Sequence, residues 1–175
     1  MGTLDRLAAV NRVLQHAMCS DFYQARLPSA PLRSLEELRQ IPFTTKEDVR
    51  RQSPCGLVCV PDSDLLQYHE SSATTGAPVS IWFSGRDLAE IRERFSELGV
   101  GFAAGDRVLI RFPYALSTIG HFYHAAAQHK GACVIPADSR SSITPMRRVL
   151  DLMQRLHVTV LPPAEHDQPA PENDS

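Results

Sequence analysis

After residue 66 the chain alternates regularly between short apolar runs and amphipathic stretches, and this constrains its fold more than any other feature. Residues 66–83 read as two strands, LLQYHE and VSIWFS, joined by the loop SSATTGAP. Residues 85–98 place Leu88, Ile91, Phe95 and Leu98 on one helical face. Gly105 and Asp106 turn the chain into the apolar run RVLIRF. Residues 117–130 form an expected helix rich in alanine and histidine, and GACVIP reads as a strand. A further helix over 144–156 carries Met146, Val149, Leu150 and Met153, and Val158-Thr159-Val160-Leu161 opens another strand. Strands that alternate with helices point to an α/β fold with a mostly parallel sheet.

The first 65 residues follow a different rule. Leu7, Val10, Leu14, Met18 and Phe22 recur at three-to-four spacing, which predicts a helix over 5–25. Pro28 and Pro31 interrupt the chain, and Ser34 caps a short predicted helix that Pro42 ends. Thr44-Thr45-Lys46-Glu47-Asp48 opens another helix, with a threonine cap and acids in its first turn. The division expected is a helical segment over 1–65, an α/β subdomain over 66–161 and a disordered tail over 162–175. The tail is rich in proline and acid and has no apolar face.

Composition narrows the function classes. The net charge of −2 argues against a general nucleic-acid role, which rests on excess Lys and Arg. The first residues, MGTLDRLAAVNRVL, carry charges among the apolar positions and do not read as a signal peptide. No apolar run approaches the roughly 20 residues that span a bilayer. A cytoplasmic protein with reduced thiols, and no membrane partner, is expected. Cys55 and Cys59 are four apart, with no second pair at zinc-finger spacing, so the four cysteines read as small packed side chains.

The segment Ser71-Ser72-Ala73-Thr74-Thr75-Gly76-Ala77-Pro78 gathers four hydroxyls and a glycine between two strands. Hydroxyls and backbone N–H groups suit a phosphate-gripping loop, and Gly76 permits close backbone approach. A Ser/Thr-rich surface turn has the same composition. The segment is not a Walker loop, because no Gly-Lys-Ser/Thr follows. It resembles the SSGTTGKP loop of the adenylate-forming enzymes. The flanking residues point to the phenylacetate–CoA ligase branch of that superfamily. They are Phe22-Tyr23 and Leu27, Leu35-Glu36-Glu37-Leu38, Ile41-Pro42-Phe43-Thr44-Thr45-Lys46-Glu47-Asp48, Gly56-Leu57, Val60-Pro61, His69 and Gly131-Ala132-Cys133-Val134-Ile135-Pro136. The similarity runs from about residue 20 to 161 and covers only the N-terminal portion of such an enzyme.

The resemblance implies an incomplete adenylate-forming fold. It also implies an ATP-dependent ligase that joins an aryl or other small carboxylic acid to CoA, or to a carrier-protein thiol, through an acyl-adenylate. ATP and Mg are the implied cofactors. Ser71, Ser72, Thr74, Thr75 and Gly76 would contact the β- and γ-phosphates. Ala73 stands where the family has glycine, and a Cβ there costs roughly 1–2 kcal/mol if the position needs positive φ. Ala77 replaces a lysine whose charge, about 4 Å from a phosphate, is worth roughly 1–4 kcal/mol.

By the same resemblance the segment after the Gly105-Asp106 strand lines the acid pocket. Phe112 and Tyr114 match aromatic positions, Ser117 replaces a phenylalanine, and His124 falls on the substrate-gating histidine. Phe112 also reads as a core residue, and His124 as a plain packed or surface histidine. His121 and His124 lie one turn apart and could bind a metal, but only two ligands are visible, so no metal site is assigned. Gly99-Val100-Gly101 with Gly105 imitates a dinucleotide fingerprint. It follows a helix rather than a strand and reads as a helix stop.

The family's magnesium-binding Thr-Glu loop, ribose-binding Asp, hinge and catalytic lysine have no counterpart in these 175 residues. Neither Lys46 nor Lys130 occupies such a context. No catalytic residue is therefore assigned. The expectation is a truncated or split part of a ligase, inactive as an isolated chain. A complementing C-terminal chain or self-association would cover its sheet edge. The alternative is a non-catalytic remnant or binding module that retains part of the fold.

Overall fold

The computed structural model describes residues 3–71, 77–98 and 101–163. Two compact units divide the chain, one ending at Gly85 and the other beginning at Arg86.

The first unit opens with helix α1, Thr3–Ala17, followed by the single turn α2, Asp21–Gln24. The periodicity predicts one helix over 5–25, but the chain breaks at 18–20. The cause is tertiary. Ser20 is buried with extended backbone (φ −96°, ψ 130°), and its hydroxyl donates to the Gly56 carbonyl at 2.7 Å. A buried side-chain hydrogen bond outweighs continued helix propensity. The segment after Ser34 forms only a 3₁₀ turn, Glu37–Gln40.

Helix α3, Lys46–Gln52, is held by a full capping box. Asp48 N donates to Thr45 Oγ1 at 3.1 Å, and Thr45 N donates to Asp48 Oδ2 at 3.0 Å. Arg26 approaches the same carboxylate at 3.2 Å while lying over the Phe22 ring, 4.2 Å from its centroid. These bonds, led by that from the Thr45 backbone, hold the Asp48 carboxyl down at about 2. Strands β1, Leu65–Glu70, and β2, Ser80–Ser84, pair antiparallel, with Tyr68 opposite Trp82 and Glu70 opposite Ser80.

Parallel pairing belongs to the second unit. Helix α4, Gly85–Leu98, leads toward β3, Arg107–Ile110. Helix α5, Ile119–His129, β4, Cys133–Pro136, and helix α6, Met146–Arg155, follow in order. β3 is central: β4 pairs parallel with it along its length, and Val160 bridges parallel to Val108. The expected strand at 158–161 is thus a short third rung.

Alternation along β3 sends side chains to two cores. Val108 and Ile110 pack with Phe102, Phe112, Ala126 and Ala127, which includes residues of α5. Leu109 packs with Ala137 and with Val149 of α6. Period-two alternation on a strand covered by helices on both faces explains why Val108, Leu109 and Ile110 are all fully buried. Asp106 ties the lower end together, accepting from Ala103 N and Thr159 Oγ1, each at 2.8 Å. Gly105 has φ 91° in the turn into β3, as a turn-forming glycine requires. Gly99 and Val100, the start of the false dinucleotide fingerprint, lie outside the described residues, as do residues 164–175 of the expected tail.

Candidate functional site

The predicted phosphate loop joins β1 to β2. Its base is built by Ser71, whose backbone N donates to Val79 O at 3.0 Å while Val79 N donates to Ser71 Oγ at 3.0 Å. Ser71 therefore closes the hairpin with main chain and side chain together. Accepting a hydrogen bond leaves the hydroxyl proton available for donation. Ser72, Ala73, Thr74, Thr75 and Gly76 lie outside the described residues. Ala77 is exposed. Below the base, Tyr68 OH donates to Glu70 Oε1 at 2.6 Å and meets Ser80 Oγ at 3.0 Å. Trp82 stacks obliquely on Tyr68 and donates to Pro54 O at 2.8 Å. The hairpin stem is thus rigidly bonded where it delivers the loop.

The predicted acid-pocket residues fall in the second unit. Phe112 is buried and stacked on Tyr123, with ring centroids 5.0 Å apart and an interplanar angle of 3°. It belongs to the core cluster on the α5 face. Tyr114 and His124 come together: the phenol oxygen lies 3.3 Å from His124 Nδ1. Burial, aided by the nearby Asp138 carboxylate, pushes the Tyr114 hydroxyl up to about 12. Burial, then the charge of His121, lowers His124 below its ordinary value. Both partners are thus held neutral at neutral pH.

Two residues that sequence reasoning did not assign to the site complete the arrangement. His121 Nε2 lies 2.7 Å from the Tyr114 carbonyl, and its ring meets the Tyr114 ring edge-on. A carbonyl only accepts, so Nε2 carries the proton there. The signal was present in the i, i+3 spacing of His121 and His124, which places both over one face of α5. Arg111 donates through Nη1 to the carbonyls of Ala137, Asp138 and Thr144. It pins the loop that brings Asp138 near Tyr114. Nothing in a lone arginine at a strand end marks it for this role.

Gly120 lets α5 reach the Tyr114 segment. A Cβ at this position would lie 2.7 Å from the Pro113 carbonyl oxygen. Two open clefts in the first unit, of about 450 and 350 Å3, are lined by residues of the N-terminal 41 and touch none of the candidate residues. Among the described residues, no three His, Cys, Asp or Glu side chains converge as metal ligands. No described helix is long and apolar enough to cross a membrane.

The chain is 36% identical over 108 residues to the phenylacetate-coenzyme A ligase of Pseudomonas putida, covering 60% of this chain and 24% of that protein. Against the Thermus thermophilus phenylacetate-coenzyme A ligase the identity is 36% over 123 residues, or 66% of this chain and 27% of the relative. The chain is phenylacetate–CoA ligase-like. Its fold agrees. An open conformation of 2-hydroxyisobutyryl-CoA ligase, in complex with 2-HIB-AMP and CoA, superposes with a TM-score of 0.78 at 22% identity, over 89% of this chain and 36% of the ligase. The same ligase in its thioesterification state gives 0.76 at 25% identity, again over 89% and 36%. The ligase-like chain therefore spans about a quarter of the curated relatives it matches and about a third of the solved ones. No protein-family model matches it.

Proposed function

We propose that this chain carries the phosphate-loop and acid-pocket part of an ATP-dependent carboxylic acid–CoA ligase that works through an acyl-adenylate. The observation that carries the reading is the similarity to phenylacetate-coenzyme A ligases over about 60% of the chain. The bonded stem of the β1–β2 hairpin supports it, because a phosphate loop needs fixed ends.

In this reading Ser71, Ser72, Thr74, Thr75 and Gly76 receive the ATP phosphates. Magnesium would neutralise phosphate charge when bound, but the described residues supply no three-ligand set for it, and no step is routed through it. Tyr114 and His124 form the polar wall of the acid site. With the tyrosine hydroxyl as donor to His124 Nδ1, 3.3 Å away, this reading puts the ring proton on Nε2. An Nε2–H donor suits one oxygen of a substrate carboxylate. His121, bonded to the Tyr114 carbonyl, positions the tyrosine rather than meeting the acid. Phe112 supports the same wall from the core through Tyr123.

The 175-residue polypeptide by itself is expected to show no acid-dependent ATP–pyrophosphate exchange. Developing charge at the carboxylate and α-phosphate needs groups beyond those present here. The test is exchange with phenylacetate, alone and with a chain that supplies the rest of a ligase. Exchange by the pure polypeptide would refute the statement about activity. A direct test of the acid site is a nuclear magnetic resonance titration with phenylacetate. His124 ring signals should shift in a saturable way, and signals unmoved up to millimolar acid would refute the pocket assignment. The second reading, a binding module without catalysis, is favoured by one observation: Ala77 is exposed and uncharged where the resemblance expects lysine.

A further inference from the structure

The first unit carries a thiol pair that the ligase reading does not use. The turn at residues 17–20 and the segment 56–59 are zipped side by side. Ser20 Oγ donates to Gly56 O at 2.7 Å, and the Cys59 sulfur lies 3.9 Å from Ala17 O and 3.7 Å from Leu57 O. Ala17 and Ser20 flank Cys19 in one tight turn, closed by Ser20 N donating to Ala17 O at 3.0 Å. The Cys59 sulfur therefore lies beside the turn that presents Cys19.

Cys55 is an exposed thiol next to Gly56, and Cys133 belongs to β4 of the second unit. Both Cys19 and Cys59 are free thiols, with Cys19 exposed and Cys59 half-buried.

We propose that Cys19 and Cys59 form a reversible disulfide, a redox modification site in the first unit. Cys19, the exposed thiol, meets the oxidant first. A peroxide is the co-reactant: the Cys19 thiolate attacks one peroxide oxygen, the O–O bond breaks, and Cys19 becomes a sulfenic acid while the peroxide leaves as an alcohol or water. The Cys59 sulfur then attacks the Cys19 sulfur, and the S–O bond breaks. Hydroxide leaves, takes up the Cys59 proton and departs as water. Two thiols lose two electrons in total, and the peroxide gains them. Partial burial keeps Cys59 from the oxidant, and its contact with the turn makes it the resolving partner. A small-molecule dithiol reverses the bond by exchange.

The bond would tie the end of α1 to the chain ahead of β1 and close a loop containing α2 and α3. Cross-linking a loop of this kind restrains the unfolded chain more than the native one. The experiment treats the full polypeptide with hydrogen peroxide, blocks remaining thiols and maps peptides without reduction. The expected product is a peptide pair joining Cys19 to Cys59, two hydrogen atoms lighter than the sum. It should be lost in Cys19→Ser and Cys59→Ser and kept in Cys55→Ser and Cys133→Ser. The oxidised wild type should also melt several degrees higher, and a dithiol should restore the original midpoint. A Cys55–Cys59 bridge, an intermolecular bridge, or Cys19 oxidised beyond sulfenic acid while Cys59 still alkylates would each overturn the proposal. The wild-type mapping needs no variant, so misfolding of a serine variant does not blur the result.

Discussion

Replacing Gly120 with alanine tests how α5 is seated on the Tyr114 segment. The new Cβ would stand 2.7 Å from Pro113 O and 3.3 Å from a ring carbon of Tyr114. The first contact lies well inside ordinary van der Waals distance, and the offending atom is backbone. That backbone has little room to yield. Phe112 on one side is buried against Tyr123, and the Tyr114 carbonyl on the other is bonded to His121. Overpacking of this kind costs about 1–3 kcal/mol. Alanine returns up to about 1 kcal/mol of helix propensity, and less than that in the first turn. The net expectation is a loss of about 0.5–2 kcal/mol, which urea unfolding followed by circular dichroism would register as a lower midpoint at unchanged slope. The strain should also move Tyr114 away from His124, so the His124 pKa should change in the same variant. A Gly120→Ala protein as stable as the parent, or more so, would refute the close-approach argument.

Other expected outcomes follow from single contacts. Thr45→Ala removes one half of the capping box of α3 and should cost about 1 kcal/mol in denaturant unfolding. The Asp48 carboxyl titrates near 2 in the folded chain, below its ordinary 3.8. Its contribution to stability is therefore complete above about 4 and lost as pH falls toward 2, and Asp48→Asn should flatten that acid limb in melts across pH. His124, lowered by burial and by His121, binds its proton less readily folded than unfolded, so its share of stability falls as pH drops below its ordinary 6.5. His121→Asn should raise the His124 value measured by resonance titration, and an unchanged value would contradict the electrostatic contact. Ala77→Lys should tighten ATP binding by about fivefold or more in calorimetry if the loop meets phosphates, as a charge about 4 Å away is worth roughly 1–4 kcal/mol. Equal affinity in parent and variant would count against the phosphate role.

Much of this protein was legible along the chain because it depends on local spacing. The helix over 85–98, the apolar run that becomes β3, the GACVIP strand and the Thr45 cap of α3 each follow from periodicity or from residues within one turn. The ligase-like character was legible too, since motifs are strings of neighbouring residues. Contacts between distant residues were not. The predicted helix over 5–25 gave way at Ser20 because Gly56, thirty-six residues on, offers its carbonyl. The pairing of Tyr114 with His124 was absent from the sequence reading, which named both residues separately, and His121 and Arg111 gained their parts only when α5 and the 137–144 loop packed beside Tyr114. Sequence by itself determined most of the helices and strands of the second unit and which ligase the chain resembles. Tertiary structure alone decided which hydroxyls, rings and carbonyls meet, because hydrogen-bond partners and burial are set by chain closure and not by position along the chain.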